Sequence, residues 1–206
     1  PVELGYTVWG ERVPARLTLG WFAFIPLAFV GNLEVPWVPT RYELIKHIMR
    51  IARVGPGDVF YDLGCGDGRV VIEAAKRGAR GVCIEIREDL IREAMKRARA
   101  QGVYDRIKFV QADFHHVDVS DATVVYMYLL TSVNQKLRPK LETELRRGAI
   151  VISLDFPVPG WNPLGMVELP RSWQRILDVY ARGFSDEGGM VGVEEALARI
   201  NRGVLT

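Results

Sequence analysis

The run Val59-Phe-Tyr-Asp-Leu-Gly-Cys-Gly-Asp-Gly-Arg69 decides the fold. It reads as a short buried strand that breaks into a glycine-rich turn and re-emerges as a helix. Gly64, Gly66 and Gly68 alternate through the turn. Glycine accepts positive φ and carries no Cβ, so a ligand can approach the backbone closely. A turn of this kind at the carboxyl end of a strand is where open α/β sheets bind ligands.

The glycine spacing differs from the dinucleotide fingerprint, and no Gly-Lys-Ser/Thr of a phosphate-binding loop follows. Acid groups narrow the reading. Asp62 closes the strand and Asp67 lies inside the turn, and both would repel a pyrophosphate. The next strand, Gly81-Val-Cys-Ile-Glu-Ile86, delivers Glu85, with Ile86 beside it. An acid at this remove is placed to accept hydrogen bonds from ribose hydroxyls. Asp113 follows a third strand, Ile107-Lys-Phe-Val-Gln111, and Phe114 next to it can stack on a purine. A nucleoside bearing an amino acid in place of phosphates, S-adenosyl-L-methionine, satisfies all these groups. The competing reading is that the acids only cap helices, since Asp is a common N-cap.

With "YDLGCGDGR", "VCIEI" and "VQADF" in this order, the chain resembles the class I, seven-strand S-adenosylmethionine-dependent methyltransferases. The resemblance implies an α/β, doubly wound, mostly parallel seven-strand sheet of Rossmann-like type. It implies that Asp62 and the Gly64-Cys65-Gly66 backbone hold the methionine part. Glu85 would take the ribose, and Ile86, Asp113 and Phe114 would border the adenine. Within that class, "VPWVPTRYELIKHIMRIARVGPGDVFYDLGCGDGR" and "ATVVYMYLLTSVNQKLRPKLETELRRGAIVISLDFPVPGW" are similar to archaeal-type protein-lysine methyltransferases. They are similar also to the mitochondrial lysine methyltransferases that act on the ATP synthase c-subunit. The family tends to have proline after "YLL", where this chain has Thr131.

Methyl transfer from a sulfonium requires in-line alignment and exclusion of water, without a metal. The exit of the fourth strand, Tyr126 to Asn134, lies beside the methyl in this fold. Tyr128 and Asn134 are therefore the candidates for steering an acceptor amine, and Tyr128 also borders the cofactor. The alternatives are that Tyr128 packs in the core and Asn134 caps the next helix. A lysine acceptor must be neutral to react, and a desolvated channel lowers its pKa. No Asp/Asn-Pro-Pro-Tyr/Phe motif follows the strand, which argues against amide or nucleobase targets. RNA or a small molecule is the alternative acceptor.

Composition bounds the rest. The chain has 206 residues, 49% of them hydrophobic, which suits one domain with elaborations. A net charge of +2 and dispersed arginines argue against a nucleic-acid partner, leaving protein lysines as the expected one. Abundant Arg and Glu with few Asn and Gln suggests a thermophile. The two cysteines, Cys65 and Cys83, read as small buried residues in a reducing, cytoplasmic setting, not as a disulfide. Neither they nor His47, His115 and His116 form a metal-ligand set. The histidines read as structural or as loop polarity.

Residues 1–38 read as an apolar extension, 39–185 as the methyltransferase domain and 186–206 as a helical tail. Leu17 to Val30 is apolar but short for a membrane span and broken by Gly20 and Pro26. Three readings stand for residues 17–38: packing on the domain, peripheral membrane or self-association, and spanning. Helices are expected over 40–52, with a Thr40/Glu43 capping box, and over 68–77, 87–101, 135–145 and 193–202. Strands are expected over 58–63, 80–86, 107–111, 122–129 and 148–155. Residues 165–169 read as a sixth strand, and 175–180 as a seventh strand or a helix.

Overall fold

The computed structural model describes residues 5–8, 11–14, 37–168, 174 and 176–186. The chain divides into two units, Pro1–Pro36 and Trp37–Thr206. In the first, β1 (Gly5–Val8) pairs antiparallel with β2 (Glu11–Pro14), strands the sequence reading did not anticipate. Most of the apolar run at 17–38 and the helix expected at 193–202 lie outside the described residues. Among the described residues no helix is long and apolar enough to cross a membrane.

In the second unit a helix precedes the glycine turn. α1 (Tyr42–Ile51) buries Leu44, Ile45, Ile48 and Met49, a one-face spacing that fixes which side meets the sheet. Its N-cap is Arg41, without a side-chain cap, so the expected capping box does not form. Thr40 is drawn away by a 2.8 Å hydrogen bond with the Tyr126 hydroxyl. The alternation that follows is β3 (Val59–Leu63), α2 (Arg69–Lys76), β4 (Arg80–Glu85), α3 (Glu88–Ala100) and β5 (Ile107–Gln111). Then come β6 (Val124–Met127), α4 (Thr131–Glu144), β7 (Ile150–Leu154), β8 (Gly165–Glu168) and β9 (Ile176–Ala181).

The sheet order is β5-β4-β3-β6-β7-β9-β8. β3 to β7 pair in parallel, as alternating strands and helices require, while β9 runs antiparallel to both β7 and β8. The segment over 175–180 is thus a strand, with Leu177, Val179 and Tyr180 buried. The strand order reverses between β3 and β6, which opens a crevice at their carboxyl ends. Side-chain alternation splits the core. Phe60, Tyr126, Ile152 and Val179 join the α1–α3 side. Leu63, Met127 and Val151 are buried without joining it, as are Leu137 and Leu141 of α4.

Candidate functional site

The turn after β3 is built by left-handed glycines. Gly66 has φ 53, and a Cβ there would fall inside the indole of Trp37. Gly68 has φ 76 and starts α2, and a Cβ would come 2.8 Å from that of Ala94 on α3. The loop is tied to β4 at several points. Gly64 and Cys65 both donate their N–H to the Ile84 carbonyl, at 2.9 and 3.0 Å. Gly66 N–H donates to Glu85 Oε2 at 3.0 Å. Cys65 and Cys83 are joined by a disulfide. This corrects the reading of two separate thiols and removes its support for a reducing compartment. Cys83 stands opposite Asp62 in the parallel ladder, and the loop curls back so that Cys65 Cα lies 5.3 Å from that of Cys83.

Asp62 ends β3 at 2% exposure, and its Oδ2 has no hydrogen-bond partner. Burial pushes its pKa to about 8, a backbone hydrogen bond involving Val71 opposes this, and the charges of Glu85 and Asp67 add to it. A buried, unsatisfied carboxyl facing other acids is costly unless a cation or donor arrives to meet it. Asp67 differs. Burial alone would raise it, but Arg69 at 2.6 Å and Arg97 at 3.0 Å hold it below the usual carboxylate range. It locks the loop to α2 and α3, which corrects its reading as a second ligand-facing acid.

Glu85 is 7% exposed and accepts from Gly66 N–H and, through Oε1, from Arg87 N–H at 3.0 Å. Each oxygen keeps a lone pair for a further donor. Ile86, beyond it, is 49% exposed, an apolar surface at the strand exit. Asp113 caps the single turn Phe114–His116. Its Oδ1 accepts from the N–H of His115, and lies 2.9 Å from that residue's Nδ1. Burial opposes these bonds, yet they hold its pKa down. Phe114 packs on His115, with ring centroids 4.7 Å apart.

The exit of β6 is the second half of the site. The Tyr128 phenol, raised by burial, hydrogen-bonds with Gln174 and Asp155, and its ring lies 6.0 Å from that of Phe156. Asn134 is no N-cap: α4 begins at Thr131, so Asn134 sits within its first turns and is fully buried. Its Nδ2 donates to Phe156 O at 2.9 Å and to Ser153 Oγ at 3.2 Å, fastening α4 to the end of β7. Leu129 lies over Gly64, so the two halves touch. Among the described residues no group of three or more His, Cys, Asp or Glu is arranged to hold a metal ion.

The sequence reading left Trp37 out of the site. It stands against Gly66 because residues 37–41 are sewn down by three partners. Gln174 binds Pro39 O and Arg41 N–H, Tyr126 binds Thr40, and Arg69 donates to Thr40 O. The stiff Val35-Pro-Trp-Val-Pro39 run just before α1 was the available signal.

The pattern of the ANTKMT methyltransferase domain matches residues 62–165, from Asp62 through β7 to the start of β8. The chain belongs to this family. A protein-lysine N-methyltransferase of Saccharolobus islandicus (strain REY15A) is 45% identical over 138 residues, 66% of this chain and 86% of that protein. An ATP synthase c-subunit lysine N-methyltransferase of Xenopus laevis is 34% identical over 64% of this chain, which spans 58% of that longer protein. A crystal structure of an RNA methyltransferase from Salinibacter ruber with S-adenosyl-L-homocysteine superposes with a TM-score of 0.67. The two share 45% identity over 70% of this chain and 93% of that one.

This family member is therefore an S-adenosylmethionine-dependent methyltransferase, and S-adenosyl-L-methionine is its cofactor. The unsatisfied Asp62 carboxyl, the glycine loop whose backbone carries no Cβ and the remaining acceptors of Glu85 fit that group. The relative solved as an RNA methyltransferase overturns the expectation that nucleic acid is an improbable partner. Lys46, Lys76, Glu73 and the Asp67-paired Arg69 and Arg97 line a cavity of about 110 Å³ with Tyr42 and Gln101. Dispersed along the sequence, these cations are gathered only by the packing of α1, α2 and α3.

Proposed function

We propose that the enzyme methylates the amine nitrogen of lysine side chains in proteins. The observation that carries the reading is the β6 exit, where Tyr128 and the buried Asn134 both reach the end of β7, at Asp155 and Phe156. The 45% identity to the Saccharolobus islandicus protein-lysine N-methyltransferase supports it. In this reading Asp62 receives the cofactor's ammonium and the backbone of Gly64, Cys65 and Gly66 follows the methionine part. Glu85 accepts from the ribose, while Ile86, Asp113 and Phe114 border the adenine and Trp37 covers the loop. Tyr128 and Asn134 shape the passage to the methyl.

The acceptor ammonium first loses a proton to solvent. Its lone pair then forms the N–C bond as the S–C bond breaks, and that electron pair stays on sulfur. The enzyme's contribution is alignment and a dry passage.

RNA is the second reading, carried by the Salinibacter ruber relative. One experiment separates the two. Purified enzyme, methyl-labelled S-adenosylmethionine and a cell lysate are incubated with and without nuclease. Label on protein lysines that survives nuclease supports the first reading. Label that nuclease removes establishes the second.

A further inference from the structure

Acid groups also gather away from the cofactor loop, where β7 and β9 meet α4. Asp178 on β9 stands directly opposite Ser153 on β7, so their side chains rise from one face of the sheet. Asp178 is 3% exposed. Burial and then the charge of Asp155 push its carboxyl up to about 6, with no hydrogen bond among the causes. Asp155 closes β7 with φ 59, and its Oδ1 accepts from Ile176 N–H at 3.0 Å.

A separate element brings a third acceptor. Asn134 reaches Ser153 Oγ from α4, which places its amide on the face that carries Asp178. Asn134 is 0% exposed, and its Oδ1 is buried with no partner. The amide cannot turn to relieve this, because its Nδ2 already serves the carbonyls of Phe156 and Pro157. A buried carboxyl with no donor among the described residues and a buried amide oxygen without a partner thus share one face of the sheet. Each costs stability until a donor fills the gap.

We infer that Asp178, Asp155 and Asn134 Oδ1 form a recognition site for a primary ammonium, the side-chain terminus of the acceptor lysine. The site rests on the lysine reading above and extends it to named acceptors. A primary ammonium carries three N–H donors and no acceptor. It complements two carboxylates and one amide oxygen, which hold the ammonium before it gives up its proton, whereas a phosphodiester would be repelled. Tyr128, bonded to Asp155, links this site to the end of β6, and β6 pairs with the strand that carries Asp62.

The test uses the full chain loaded with S-adenosyl-L-homocysteine and titrated by NMR. The ligands are Nα-acetyl-lysine methylamide, its uncharged norleucine analogue and a single-stranded RNA oligonucleotide. The wild type should prefer the lysine amide to the norleucine amide by about tenfold or more. Asp178→Asn keeps the shape and removes the charge. It should abolish most of that preference while the Kd for S-adenosyl-L-homocysteine stays within about twofold. An unchanged preference in Asp178→Asn, or no preference in the wild type, overturns the site. Lysine labelling in lysate alongside an indifferent Asp178→Asn would sink this site and leave the function standing. Nuclease-sensitive label with RNA bound and the lysine amide ignored would sink both.

Discussion

The two wings of the sheet, meeting where β3 lies beside β6, are held together on different scales. On the β3–β4–β5 wing the ties are near in sequence: Gly66 to Glu85 spans 19 residues and Cys65 to Cys83 spans 18. On the other wing, segments far apart in sequence converge. Gln174 meets Pro39 across 135 residues, and Thr40 meets Tyr126 across 86. The proposed cofactor half is thus a local device that β–turn–α–β chemistry specifies, while the proposed acceptor half exists only once the whole sheet has closed. Loop-closure entropy makes contacts of the second kind late and dependent on the rest of the fold.

The largest expected effect tests whether the wings are separable. Asp62→Ala should weaken S-adenosyl-L-homocysteine binding by about 100-fold or more in calorimetry, as expected when one partner of a buried charge pair is lost. Asn134→Ala on the other wing should leave that affinity nearly intact. A comparable loss in both would erase the distinction.

Next in size is the cross-link. Reducing the Cys65–Cys83 bond, which closes a loop of 18 residues, should cost about 3 kcal/mol. Thermal melts with and without reductant would show it, and Cys83→Ala should melt identically under both conditions. Gly66→Val should cost about 1–3 kcal/mol from its left-handed backbone. Trp37→Ala in the same chain should restore only the share due to the indole clash, as read by denaturant titration.

Asn134→Ala should cost a similar 1–3 kcal/mol, because the carbonyls of Phe156 and Pro157 lose their donor. Its methyl-transfer rate should fall further than its cofactor affinity, which sharpens the assignment of the acceptor wing.

Per pH unit, the smallest effect is a slope in stability. Asp62 and Asp178 have folded pKa values raised to about 8 and about 6, so between pH 4 and those values the folded state binds more protons than the unfolded. Stability of the cofactor-free enzyme should therefore fall as pH rises, by up to about 1.4 kcal/mol per pH unit for each group. Asp178→Asn should flatten the curve between pH 4 and 6, and Asp62→Asn up to pH 8. A curve unchanged in either variant would show that the carboxyl is not desolvated.

Legibility in the sequence followed the same divide. The glycine turn and the placing of Asp62, Glu85 and Asp113 at strand ends could be read because each depends on neighbours in a strand and its following turn. Reading Asp67 as ligand-facing went wrong because Arg97, thirty positions on, neutralises it across α3. The disulfide was missed for a related reason: parallel pairing sets Cys83 beside Asp62, and a loop's curl closes the remaining gap. Thr40 suited a capping box locally, yet a buried phenol needing a partner claimed it.

The sequence alone determined the alternating α/β order, the glycine turn, the acids at the strand exits and hence the cofactor, because these rest on backbone sterics and on short-range strand and helix periodicity. Tertiary structure alone decided that residue 37 covers the loop and that 175–180 is a strand. It also decided that Asn134 is a buried clasp and that Asp178 shares its face of the sheet without a donor among the described residues. Those properties depend on which distant groups a closed sheet brings within hydrogen-bond range.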